Sequence, residues 1–138
     1  MLQSLVLLSA FAVAQPASGA SQSYTPEQLA TGAVREIISA QAVHKQMSPE
    51  LGYACGLERL VEAQLLLDVW LAGKRVDGYA FKVWCDATSR PQATYRATAV
   101  PVKRAEGARL TVCTDESNVP RTIEGDVAAC FAKGQPAR

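Results

Sequence analysis

The sequence predicts an α+β fold: an N-terminal helix and a second helix packed on an antiparallel β-meander of three or four strands. Apolar residues recur at helical spacing early in the chain, and from Gly78 onward they recur at every second position. Clusters of turn-forming residues separate the later segments. A long helix followed by antiparallel strands packs in two layers, with the helix across one sheet face. With 138 residues, of which 49% are hydrophobic and 20% charged, the chain has material for one core.

Residues 1–20 are predicted to be a signal peptide, and residues 21–138 the globular domain. No charged side chain occurs in residues 1–23, and the apolar run LVLLSAFAVA (5–14) is too short for a bilayer that needs about 20 residues. Small residues follow, so cleavage is expected after Ala14 or Ala20. A buried helix or a short membrane tether is the alternative, because no Lys or Arg precedes the run. The prediction is a protein secreted to the periplasm or the extracellular space, without a stable membrane span in the mature chain.

Four cysteines follow this segment, namely Cys55, Cys85, Cys113 and Cys130. Export predicts that they form disulfides. A zinc site typically has close cysteine pairs, and here the cysteines are far apart and the chain has one histidine, so no metal and no cofactor are expected. Cys85 falls on the strand face assigned to the helices, which favours Cys55 as its partner. Cys113 turns to the other face, towards the tail and Cys130, although four cysteines allow three connectivities.

The first helix has a clear start. Thr25 is predicted as its N-cap, Pro26 as its first residue, and Gln28 as the partner that completes a capping box. Its end is expected near Gln46, because Ser48 precedes a proline.

The second helix is predicted from about Leu57 to Ala72, with Gly73 as its terminator. Its last two turns, LLLDVWLA, are apolar nearly all round. We therefore expect this end to be deeply buried or covered by a partner.

Alternating patterns and turn residues define the strands that follow. The predicted strands are 78–85, 93–102, 109–114 and 119–123. Pro120 would confine the last strand to an edge. The tail is predicted to form one or two helical turns over 126–133 and to fray beyond Gly134.

Five local strings, in this order, resemble the globular half of type IV pilin-like proteins, including the pseudopilins of type II secretion. They are GAVREIISAQAVHKQ (32–46), GYACGLERL (52–60), GYAFKVWCD (78–86), YRATAVPV (95–102) and CTDESNVPR (113–121). The resemblance implies that the first helix is the distal part of a pilin spine helix. Pilins begin with a glycine cleaved by prepilin peptidase and a glutamate inside a long apolar helix, and this pattern does not occur here. The resemblance therefore implies the fold, whereas self-assembly into filaments is not expected.

Candidate reactive residues are few. His44 is the one possible general base, and no nucleophile motif such as G-x-S-x-G accompanies it, so no enzymatic activity is predicted. Asp115 and the residues after it resemble a turn, and the alternative is a calcium site of the kind that some pseudopilins carry. Lys103, Arg104 and Arg109 are interpreted as a solvated turn. With a formal net charge of +1, nucleic acid is not an expected partner.

Two tryptophans are candidate partner contacts. Trp70 lies in the apolar end of the second helix and is expected in the core. Trp84 lies on the outer strand face, where it packs under the tail or contacts a partner. The predicted function is that of a secreted, soluble, pilin-like structural or adaptor protein, acting by protein–protein contact in association with a type IV pilus or a type II secretion system. A periplasmic or extracellular binding or inhibitor module is the first alternative, and a small secreted enzyme is the second.

Overall fold

A computed structural model describes residues 14, 19, 21–73, 75–102 and 110–138. The predicted signal peptide lies almost wholly outside these residues, as do Lys103, Arg104 and Arg109. The predictions made for them stay predictions.

Helix α1 spans Pro26–Met47 and begins as the sequence predicts. The backbone N–H of Gln28 donates to the Thr25 hydroxyl at 3.2 Å, and the Thr25 N–H donates to the Gln28 side chain at 2.9 Å. Both bonds of the capping box are therefore present, and they satisfy amide groups that the first helical turn leaves unpaired. One face of the helix is buried against the sheet; its members include Ala30, Ala33, Val34 and Ile37.

Helix α2 spans only Leu57–Glu62, so the prediction of a helix to Ala72 is wrong. Gln64 adopts a left-handed conformation with φ 58°, its N–H bonds the Val61 carbonyl, and the Leu65 N–H bonds the Leu60 carbonyl, both at 2.9 Å. These two bonds form a Schellman motif, which ends a helix. Glycine usually occupies the left-handed position, and for this reason the stop was not visible in the sequence. A short 3-10 helix, Asp68–Trp70, follows.

Five strands form one antiparallel sheet in the order β1-β2-β3-β4-β5. They are β1 Tyr79–Trp84, β2 Arg96–Pro101, β3 Thr111–Asp115, β4 Arg121–Ile123 and β5 Gln135–Pro136. The α+β class, the long N-terminal helix and the antiparallel meander are confirmed. Two details are wrong: the chain beyond Gly134 pairs with β4 as a fifth strand, and β4 is consequently not an edge strand. Pro120 precedes β4 and needs no ladder bond there.

The two sheet faces carry different helices. Helix α1 lies against β2 and β3 on one face, over Ala97, Ala99 and Val112, which are all fully buried. On the opposite face, helix α3 (Val127–Lys133) lies against β3 and β4. Asp126 caps α3 by accepting a hydrogen bond from the Ala129 N–H at 2.7 Å. The predicted helical tail is therefore confirmed, and it covers a face that a two-layer fold would leave open.

Both disulfides of the favoured connectivity are present. Cys55–Cys85 ties the segment before α2 to the end of β1, and Cys113–Cys130 ties β3 to α3. Disulfides of this kind persist in oxidising compartments, in agreement with a protein that folds outside the cytosol.

Candidate functional site

An exposed apolar surface lies in the segment that follows the C-terminal end of α2. It consists of Leu67, Val69 and Leu71, which expose 75%, 37% and 50% of their area. We call these three residues the apolar surface. Three large apolar side chains are therefore exposed within five residues of the sequence. None of the described helices is long and apolar enough to cross a membrane.

A shallow groove of about 430 Å³ lies between the outer side of α1 and the segment that leads to the apolar surface. Six of its eight lining residues are apolar or small, and the other two, Arg35 and Glu36, are charged. The lining residues are Gly32, Arg35, Glu36, Ser39, Ala40, Val43, Leu65 and Leu66. Leu65 and Leu66 line the groove and directly precede Leu67, the first residue of the apolar surface.

Trp70 is a core residue, as the sequence predicts. It is 3% exposed, and its ring meets Phe81 of β1 edge-on with the centroids 5.1 Å apart. The guanidinium of Arg75 covers the ring at 5.6 Å, and Arg75 also forms an ion pair with Glu36 of α1. Trp70 therefore anchors the segment beneath the apolar surface.

Trp84 packs beside the tail helix. Its ring meets Phe131 of α3 edge-on at 6.0 Å, and its indole N–H donates to Asp86 at 3.1 Å. The ammonium group of Lys82 lies 5.1 Å from the same ring. Trp84 remains half-buried, so part of it is accessible beside an exposed lysine.

Two arginines hold Phe131 from the sheet side. Arg96 lies 4.6 Å and Arg121 5.9 Å from the ring centroid. Each arginine also pairs with a carboxylate: Arg96 with Asp86 at 2.8 Å and Arg121 with Asp115 at 2.6 Å. Cation–aromatic contacts and ion pairs therefore fasten α3 to the sheet around the Cys113–Cys130 bridge.

Asp115 lies at a turn, which is the first of the two interpretations that the sequence allowed. One carboxylate oxygen accepts the Ser117 N–H at 3.0 Å, and the other binds Arg121. Burial by itself raises the pKa of Asp115, but the hydrogen bonds from Ser117 and the charge of Arg121 outweigh it and lower this pKa below its ordinary value. Asn118 accepts a hydrogen bond from the Tyr95 hydroxyl at 2.8 Å. Within the described ranges, no three His, Cys, Asp or Glu side chains are grouped to hold a metal ion.

His44 lines a second, more polar pocket of about 510 Å³. Its Nδ1 lies 2.8 Å from the Gly52 carbonyl oxygen, which can only accept, so Nδ1 carries the proton. In the neutral ring, Nε2 is then the acceptor. Other lining residues are Ser48, Leu51, Tyr53, Ala54, Cys55, Arg59, Glu62, Ala63, Thr88, Ser89, Arg90 and Gln92.

Two glutamines that the sequence analysis missed support this pocket: Gln92 lines it, and the fully buried Gln41 holds the lining residue Ala54. The buried amide of Gln41 donates to the Ala54 carbonyl and accepts the Ala54 N–H, both at 2.8 Å. Gln92 forms a parallel bridge with Gly52 and donates from its side chain to the Ala87 carbonyl at 2.7 Å. Gln41 lies on the apolar face of α1, where a polar side chain needs a hydrogen-bond partner, and that position was the available signal.

Comparison of the chain with protein-family models, curated proteins and solved structures gives no significant match.

Proposed function

We propose that this chain is an exported, disulfide-bonded protein with a pilin-like domain that acts by binding a protein partner. The apolar surface carries the proposal, because three large apolar side chains remain in water although Leu66 and Trp70, their neighbours in sequence, are buried. Exposed apolar clusters of this kind mark sites of protein–protein contact.

The order of elements supports a pilin-like domain. Four of the strings that resemble pilin-like proteins fall on regular elements: 32–46 within α1, 78–86 on β1, 95–102 on β2, and 113–121 from β3 to the start of β4. The fifth, 52–60, leads into α2. A helix that crosses an antiparallel meander is the arrangement that the resemblance implies.

A paired substitution tests the contact proposal. The variant Leu67→Ser/Leu71→Ser is expected to fold normally, because both side chains are exposed, and to lose partner binding. Burial of one leucine contributes about 1.5 kcal/mol, so loss of both, about 3 kcal/mol, should weaken binding roughly 100-fold. Affinity capture from the envelope of the producing organism, followed by titration of the captured partner, measures this loss.

Val119→Ser is the matched control, since Val119 is 43% exposed and lies in the connection between β3 and β4. Undiminished binding by the double variant, or equal loss by the control, would contradict the assignment of the apolar surface.

The second pocket favours an alternative, a binding module for a small ligand. Its volume of about 510 Å³ lies in the range of ligand sites, and it combines an aromatic wall with polar groups. Among the described residues, Arg90 makes no ion pair, so an organic carboxylate suits this wall. NMR titration with a library of small carboxylic acids tests this alternative. Chemical-shift changes at His44 and Tyr53 would favour small-ligand binding, whereas no change with any acid would contradict it and leave partner binding as the proposed function.

A further inference from the structure

The two edges of the sheet differ in how they are protected. The edge strand β5 has two residues and contains Pro136, a short and proline-containing edge that cannot readily accept another strand. The other edge strand, β1, has six residues, YAFKVW, with no proline. Its single charge is Lys82, whose ammonium group lies over the Trp84 ring of its own strand. The β1 edge therefore lacks the usual protection against pairing.

The register shows which backbone groups of β1 are available. Val102 N–H bonds the Gly78 carbonyl at 2.8 Å, and in an antiparallel pair the bonded residues alternate, so Ala80, Lys82 and Trp84 bond β2. Phe81 and Val83 consequently direct their N–H and C=O groups away from the sheet. No hydrogen bond from the described chain reaches these groups. The Tyr79 N–H is already used, since it donates to the Val76 carbonyl at 3.3 Å.

We propose that the β1 edge is a self-association surface, on which β1 of a second copy pairs antiparallel to extend the sheet across a twofold axis at Phe81. Only the odd-numbered residues of β1 direct their backbone N–H and C=O groups away from the sheet. Phe81 therefore pairs with Phe81 of the second copy, and Tyr79 pairs with Val83 of the second copy. About four new backbone hydrogen bonds form in this register. The Cys55–Cys85 bridge at the end of β1 and the Trp70–Phe81 contact hold the strand in place before it pairs.

Charge selects this register over its neighbour. With Phe81 on the axis, Lys82 faces Ala80 of the second copy, and no like charges meet. If the twofold axis moved by one residue to Lys82, Lys82 of one chain would lie directly opposite Lys82 of the second copy. Like charges directly opposite each other are unfavourable. Ala80 is exposed, so a charge can be introduced there without disturbing the core.

Two variants of opposite charge test the proposal on the oxidised protein, produced as the full chain in an exporting host. Ala80→Glu would create two Glu–Lys pairs across the axis, whereas Ala80→Lys would create two Lys–Lys pairs. Sedimentation equilibrium should show a dimer whose Kd falls roughly 2- to 30-fold in the first variant and rises by a similar factor in the second. Salt should reduce both effects.

Ala42→Glu and Ala42→Lys, at an exposed position of α1, are the controls for net charge, and they should leave the Kd unchanged. Hydrogen exchange locates the contact: the amides of Phe81 and Val83 should become protected as the concentration rises, whereas the amide of Lys82, already bonded to β2, should not change. A protein that stays monomeric at millimolar concentration, or Ala80 variants that shift the Kd in the same direction, would overturn the proposal. Partner capture through Leu67 and Leu71 is measured separately, so either proposal can fail alone.

Discussion

Gly52 is the position at which a single added methyl group should do most harm to the described loops. Its φ is +78°, and a Cβ built there would lie 2.5 Å from the amide nitrogen of Gln92 and overlap its carbonyl. Gly73 provides a matched control, with φ +66° and nothing within 4 Å of its Cβ. Both Gly→Ala variants pay the strain of a left-handed alanine, about 1 kcal/mol, and only Gly52→Ala also meets a neighbouring backbone.

The expected loss at Gly52 follows from the bonds beside it. The clash separates two segments joined by the bonds from Tyr53 N–H to the Gln92 carbonyl, at 3.0 Å, and from Gln92 N–H to the Leu51 carbonyl, at 2.8 Å. At about 1 kcal/mol for each bond, Gly52→Ala should lose about 3 kcal/mol of unfolding free energy, against about 1 kcal/mol for Gly73→Ala.

Urea unfolding of the oxidised protein, followed by tryptophan fluorescence, measures both losses, and the m-value shows whether the unfolding transition remains comparable. NMR of Gly52→Ala should also show shifts at His44, whose Nδ1–H donates to the Gly52 carbonyl. If the two variants lose the same free energy, the close approach of Gly52 and Gln92 does not stabilise the protein, and the prediction is wrong.

Two predictions concern pH. Because the pKa of Asp115 is lowered in the folded chain, its contribution to stability is present above the unfolded value near 4 and is lost as the pH falls through the folded value. Asp115→Asn should therefore flatten the acid side of the stability profile from urea unfolding, below about pH 4, and an unchanged slope would contradict the Arg121 pairing. Burial, with a smaller effect of Glu27, raises the pKa of Tyr79 to about 12. The contribution of Tyr79 to the free energy of unfolding is therefore fully present below about pH 10 and is lost as the pH rises towards 12. Tyr79→Phe should reduce that alkaline slope, and ultraviolet titration should show one tyrosine fewer that ionises late.

Local rules were sufficient where the signal lies within a few residues. The capping box at the start of α1 depends on two nearby side chains, those of Thr25 and Gln28, and the change of period at Gly78 is visible within one strand. The disulfide pairing followed from which strand face each cysteine occupies. Strand β5 could not be predicted in this way, because two residues containing a proline have no strand pattern and pair only because α3 returns the chain to β4.

The second pocket was also beyond local rules. Gln92 lines it and bridges to Gly52 in a separate loop, and the buried Gln41 holds the lining residue Ala54, 13 residues away. A glutamine in a sequence does not show which distant carbonyl it will bind. Sequence reasoning identified His44 and its position near the end of α1, but the partner that fixes its tautomer, the Gly52 carbonyl, depends on the folded loop.

The apolar surface has its origin in the same kind of tertiary effect. At 100° per residue, a helix continued to Ala72 would place Leu67 and Leu71 on the stripe of Leu60, within about 20° of it, and would turn Leu66 and Trp70 away. The left-handed turn at Gln64 reverses this order: Leu66 and Trp70 are buried, and Leu67 and Leu71 lie in water. A left-handed glutamine costs free energy that the burial of a tryptophan offsets. The break thus determines which apolar side chains form the core and which remain for a partner, so the proposed contact depends on a conformation that periodicity alone could not reveal.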